Sequence, residues 1–207
     1  MNKILALITV SIILISCNST SSSDSHQESA IDNSNARIFW NSLKELQGKS
    51  YEGQLANAPA DNDFEGKQLV MHVLYSDDET ILIPFNVGEN LSRTWIFKYK
   101  DGRIELKHDH RMKDGTDDEL TMYGGTSTNE GKAWMQVFPA DQETVAMLPE
   151  AFSNVWWVTV DNTTFTYNLR RVGTDRLFTV VFDLTHEIEK PSPSWGWEDF
   201  QGIYNKR

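Results

Sequence analysis

The chain has 207 residues and a formal net charge of −11, with 39 % hydrophobic and 24 % charged residues, the profile of one globular domain with short appendages. The acid excess excludes a nucleic-acid binder, since no basic surplus is available to neutralise phosphates. A multi-span membrane protein is excluded because only one segment is long and apolar enough to consider. Seven Trp, ten Phe and six Tyr exclude whole-chain disorder, because they can build a core.

Residues 1–17 read MNKILALITVSIILISC. Lys3 supplies a short positive start, and the apolar run that follows suits a secretory leader, being too short for a comfortable membrane span of about 20 residues. Leu14-Ile15-Ser16-Cys17 resembles a bacterial lipobox, with a small residue before a Cys directly after the apolar run. In that class the Cys is diacylated, the leader is cut before it, and the new amine receives a palmitate-type chain. The resemblance therefore implies a leader over 1–16 and lipidation at Cys17. Asn18 is not the Asp that would favour inner-membrane retention, which implies the outer membrane of a cell envelope. Loss of Lys3 makes the remainder about one unit more negative, so lipid burial, and not attraction to anionic headgroups, is the expected anchoring force.

Cys17 is the only cysteine. A structural disulfide, a Cys-ligated metal and a Cys nucleophile in the body are thereby excluded. Residues 17–34 are the lipidated Cys and a Ser-rich polar stretch that cannot bury a core and reads as a flexible tether. Residues 35–207 are left as a single β-rich domain with an extended C-terminal tail.

That domain opens with a helix, with Asn35 as N-cap, Phe39, Leu43 and Leu46 on one face, Trp40 beside them and Gly48 as the stop. The pattern then changes to short alternating segments separated by turn residues. Ten strands are predicted, over 50–55, 68–75, 80–87, 94–100, 103–112, 120–123, 132–138, 155–160, 164–172 and 177–184. Asp101-Gly102 is the strongest hairpin signal, and a short helix is predicted over 141–148. Trp195 and Trp197 are placed to pin the Pro191-Ser192-Pro193-Ser194 tail to the body. The predicted fold is mostly β: an antiparallel meander of about ten strands after one short helix, closed into a barrel that leaves no exposed edges. An open β-sandwich is the alternative.

Leu43-x-x-Leu46-x-Gly48 followed by Tyr51-Glu52-Gly53 resembles the entry of calycin barrels, in particular the nitrobindin-like Leu-x-x-Leu-x-Gly and Trp-x-Gly. Here Tyr stands for Trp, and the spacing is one residue longer. The resemblance implies a calycin-like barrel. It brings no haem ligand, since His186 after the last strand reads as a surface residue. A wider string is similar to an uncharacterised family of bacterial secreted proteins and lipoproteins. It runs through Phe39-Trp40, Gly48-Lys49-Ser50-Tyr51, Ser92-Arg93-Thr94-Trp95, Leu106 to Arg111, Thr121 to Gly125 and Phe138 to Asp141. It implies an envelope location and carries over no catalytic residue.

Three groups could carry chemistry. In segment 103–112, period-two geometry puts Ile104, Leu106, His108, His110 and Met112 on the inner face and Arg103, Glu105, Lys107, Asp109 and Arg111 on a solvated one. His108 and His110, about 7 Å apart at Cα, could begin a metal site or could hydrogen-bond to backbone and Tyr123 at the barrel mouth. The acidic run 114–119 lacks full EF-hand spacing and reads as a turn. Arg93 offers a fork for an anion and Trp95 a stacking face, with Gly124-Gly125 serving either close ligand approach or a turn. Phe165, Tyr167, Leu169 and Arg171 share an inner face, so Arg171 either meets an anionic head group or reaches out to water. No nucleophile elbow, P-loop, dinucleotide fingerprint or His-Glu-x-x-His is present, and the sequence requires no cofactor.

The ligand-binding candidates are thus Arg93, Trp95, His108, His110, Tyr123 and Arg171. The expected function is a membrane-anchored envelope lipoprotein binding a small or amphipathic, lipid-like ligand in a β-barrel. The alternatives are an envelope hydrolase or isomerase using His108 and His110, and an interaction lipoprotein whose exposed Trp195 and Trp197 contact an unknown protein partner.

Overall fold

The alternation that begins at Ser50 is realised as one antiparallel sheet. The structure is a computed structural model and describes residues 32–60 and 62–202. The leader, Cys17 and the Ser-rich stretch up to residue 31 lie outside the described residues.

Helix α1 (Asn35–Lys44) is followed by β1 (Ser50–Asn57), β2 (Leu69–His72), β3 (Tyr75–Ser76), β4 (Thr80–Val87), β5 (Asn90–Lys100), β6 (Arg103–His110) and β7 (Tyr123–Thr126). Then come β8 (Met135–Pro139), α2 (Gln142–Met147), a 3-10 turn over Pro149–Ser153, β9 (Asn154–Val160), β10 (Thr164–Arg171) and β11 (Leu177–Glu187). The hydrogen-bonded order is β7-β6-β5-β4-β2-β1-β11-β10-β9-β8, with β3 also on β4. Neighbours in space are neighbours in sequence except where β1 meets β11 and where β2 passes over the short β3. The sheet is a nearly closed barrel, not an open sandwich.

Eleven strands stand where ten were expected, because the segment 68–75 is broken at Val73-Leu74, with each half pairing separately with β4. The expected strand 120–123 forms three residues later, as β7. Asp101 and Gly102 both take positive φ, 51° and 70°, the left-handed pair that a two-residue hairpin requires.

Ser34, not Asn35, caps α1, its hydroxyl accepting from the Arg37 N–H at 3.2 Å. Asp32 accepts from the Tyr99 hydroxyl at 2.6 Å. The last residues of the expected tether therefore belong to the body. Ala36, Phe39, Trp40 and Leu43 are fully buried, and the Trp40 indole N–H donates to the Asp77 carbonyl at 3.0 Å. Asp77, Tyr99 and the Gly131 carbonyl that Asn35 reaches all lie at the barrel end where β4 and β8 start and β5 finishes. Helix α1 plugs that end. Phe97, Phe138, Phe165, Val180 and Phe182 fill the middle.

The outer face of the barrel is covered on one side. The tail crosses β4 and β5 through Asn86 to the Ser192 carbonyl (3.0 Å) and Trp195 N–H to the Leu91 carbonyl (3.0 Å). Trp197 packs with Leu82, Ile96 and Phe200 in a second small core. This corrects two expectations. The outer face of β6 is solvated only at its start: Arg103 is exposed, but Lys107 is 5 % and Asp109 1 % exposed. Nor is Trp197 an exposed contact, since it is buried and donates its indole N–H to Asp109 at 2.9 Å. Lys107 instead reaches Asp141 (2.6 Å) and Glu143 (3.2 Å) beside α2. Burial works against its charge, and these two hydrogen-bonded carboxylates hold its pKa above the usual lysine value.

No strand ladder joins β7 to β8; a clasp does. The Gly124 N–H donates to the Thr144 hydroxyl (2.7 Å), which donates back to the Gly124 carbonyl (2.9 Å). The Asp141 N–H donates to the same carbonyl at 3.0 Å. A Cβ on Gly124 would overlap the Leu106 carbonyl, and one on Gly125 the Pro139 carbonyl. The two glycines sit in a strand and serve close approach by the protein's own backbone, neither a turn nor a ligand. Thr144→Val keeps the volume but leaves the buried Gly124 N–H unpaired, at an expected cost of about 2 kcal/mol. Urea unfolding should show this loss, and Thr144→Ser should restore most of it.

Candidate functional site

At the end opposite α1 the filled core stops short of the rim. Inward positions of β5 and β6 face each other there: Arg93 is paired with His110 and Trp95 with His108. Phe85 on β4 flanks Arg93 on the other side, and Tyr123 on β7 lies beside His108. Across the barrel, β10 contributes Tyr167, Leu169 and Arg171, with Trp156 and Asn154 of β9 in register with the last two. The segment after β1 adds Phe64, and the connection between β6 and β7 adds Asp118 and Leu120. Together they line a cavity of about 450 Å³.

All six residues singled out from the sequence, Arg93, Trp95, His108, His110, Tyr123 and Arg171, line this one cavity. Met112 does not: β6 ends at His110 and Met112 is exposed. Phe64, Phe85, Leu169 and Phe178 make up much of the apolar wall. Phe64 was missed in the sequence, although a lone aromatic in the polar stretch Asp61-Asn62-Asp63-Phe64-Glu65-Gly66 is a recognisable sign of a ring that is buried by something.

The two histidines are parts of a neutral network. His108 Nδ1–H donates to the Tyr123 carbonyl at 2.9 Å, which leaves Nε2 to accept from the Tyr167 hydroxyl at 2.7 Å. The His108 ring stacks on Tyr123 with centroids 4.6 Å apart. Tyr123 Oη lies 3.0 Å from His110 Nε2. Burial pushes His108 down to about 3, while burial and the nearby Arg93 charge push His110 down to about 4. Burial also raises Tyr123 to about 12 and Tyr167 well above the usual phenol value. Near neutral pH these four groups carry no charge.

This geometry answers the metal alternative. Both nitrogens of His108 are engaged, so it has no lone pair to give, and among the described residues no cluster of three or more His, Cys, Asp and Glu is placed to hold a metal. In the acidic run Asp117 lies 3.6 Å from Arg111, which also lies 2.9 Å from Asp109 on β6. His186 is an exposed residue, 2.8 Å from Asp183.

Trp95 does not present a free stacking face. Phe85 and Tyr167 lie nearly parallel to it, with centroids 4.6 and 4.4 Å away, and the indole is 2 % exposed. Arg171 lies half-buried at the rim, its Nε–H donating to the Asn154 side chain at 3.0 Å.

Arg93 stands apart. Its guanidinium lies over the Phe64 ring, 5.4 Å from the centroid. Nη1 is buried and has no hydrogen-bond partner. Burial pulls its pKa below the usual guanidinium value, with Tyr123, Asp63 and Tyr167 opposing, and it remains a cation at any physiological pH.

No protein-family model, curated protein or solved structure matches this chain.

The buried imidazoles couple stability to acid. In the unfolded chain both histidines titrate near 6.5, whereas in the folded chain they stay neutral down to about 4 and 3. Between those limits the unfolded state binds more protons, so stability falls as pH drops, by roughly 1 kcal/mol per pH unit for each histidine. Urea midpoints measured from pH 7 to pH 4.5 should decline accordingly. The slope should be shallower in a double variant, His108→Gln with His110→Gln.

Proposed function

We propose that this protein is a lipid-anchored envelope protein whose barrel binds a small or amphipathic ligand at the end opposite α1. The observation that carries this reading is the cavity. One end of the barrel is filled to the limit by α1 and the aromatic core, while the other holds about 450 Å³ of space walled by aromatic and aliphatic side chains and a few polar groups. That volume lies in the roughly 300–1,000 Å³ range of small-molecule sites. The neutral His–Tyr network fixes the side chains on one wall of that space. The anchor rests on the Leu14-Ile15-Ser16-Cys17 motif.

Leu169→Trp places an indole in the cavity. It is expected to weaken uptake of the neutral probe N-phenylnaphthylamine by about tenfold or more, with the urea midpoint retained. Equal uptake by both proteins, or none by the native chain, would overturn the cavity reading. For the anchor, Cys17→Ser should move the protein from the membrane pellet to the soluble fraction of bacterial cells, and retention in the pellet would overturn it.

A further inference from the structure

We propose that the cavity's ligand is an apolar monocarboxylate whose head group is bound by Arg93. This deepens the reading of the cavity as a binding site and rests on it.

Two other cations withdrawn from solvent are paired. Lys107 is held by Asp141 and Glu143, and Arg111 by Asp109. Arg93 differs. Among the described residues no carboxylate lies in ion-pair reach of it, and its buried Nη1 donates to nothing. Arg93 is half-buried, and a guanidinium nitrogen withdrawn from water with no partner is costly for a fold. It persists where something outside the chain completes it. Arg93 lies on the cavity wall, with Phe85 and His110 on either side in the sheet.

The lining selects the class of anion. His110, Tyr123 and Tyr167 are neutral, for the reasons given above; Asp63, Asp109 and Asp118 also line the cavity, but none of them is ion-paired with Arg93, whose guanidinium is the cation beside the neutral network. One guanidinium fork matches one carboxylate, which takes two parallel N–H···O bonds and cancels a single charge. A phosphate, carrying up to two charges, would be left half neutralised. Phe64, Phe85, Leu169 and Phe178 then meet the remainder of the ligand, which must be apolar to gain from them. At the rim Arg171 adds a second positive charge to the lining, in a chain whose net charge is −11.

The test compares two probes of the same chain length, decanoate and decanol, titrated calorimetrically into the full chain at neutral pH. The native protein should bind decanoate at least about tenfold more tightly than decanol, one fork's worth of charged hydrogen bonding. Arg93→Met should bring the ratio to about one. Arg93→Lys, which keeps the charge but loses the fork, should keep an intermediate preference. Equal binding of the two probes by the native chain overturns the carboxylate inference, as does a preference that survives in Arg93→Met. If neutral N-phenylnaphthylamine is taken up but decanoate is not, this inference falls and the cavity reading stands. Failure of all three probes ends both. Should Arg93→Met not fold, the native ratio and the Arg93→Lys value still decide.

Discussion

Closure of the sheet is the constraint from which the rest of this structure follows. Two local meanders, β1 to β7 and β8 to β11, are joined edge to edge by the β1–β11 ladder. At their other edges they are brought together by the Thr144 hydroxyl, held between the N–H and carbonyl of Gly124, and by the Asp141 N–H on the same carbonyl. An open edge would expose a row of unpaired backbone groups. Here the approach is so close that neither Gly124 nor Gly125 could carry a side chain. The clasp is itself tied down: Asp141 caps the helix bearing Thr144 and accepts from Lys107, so a strand, a helix and an ion pair on the outer wall share one arrangement.

Once the sheet is closed, its interior must be filled from the ends. Helix α1 fills one end with Phe39, Trp40 and Leu43. Among the described residues nothing of comparable size enters the other, and space remains there. The side chains around it are held by one another: Trp95 between its ring neighbours, His108 between Tyr123 and Tyr167, Arg171 on Asn154. Such mutual support keeps a cavity from collapsing, since each wall residue has lost its freedom to swing inward. Arg93 is the member whose hydrogen-bonding capacity the wall leaves unspent.

Much of the architecture was legible in the sequence. Period-two alternation placed the inner faces of β6, up to His110, and of β10 correctly, and Asp101-Gly102 marked its hairpin. The six candidate residues converge because each was an inward position near a strand end, and in an up-and-down barrel alternate strands end at the same rim. What alternation does not report is what lies against the outer wall. Lys107 and Asp109 read as solvated because their cover, α2 and the tail, comes from 30 to 90 residues away. Strand β7 was displaced because Gly124-Gly125 has the composition of a turn, and only the seam explains why glycine is needed in a strand there. Likewise, the lost stacking face of Trp95 and the unpaired Nη1 of Arg93 are three-dimensional facts. No spacing of residues announces that a partner is missing.

The placing of the seam in mid-chain and of the ladder at the chain's extremes has a consequence for how the molecule assembles. Most strand pairs form between sequence neighbours and need only short loops to close. The register that links Tyr51 to Glu187 spans nearly the whole domain and carries the largest loop entropy in the fold. As the chain emerges from the ribosome, the first strand waits with one edge bare until the last has been made. The first meander thus spends its early life as an unfinished sheet, with aromatic side chains still in water and an edge able to pair with another copy. The rate of completing this single long-range ladder governs how long that hazard lasts.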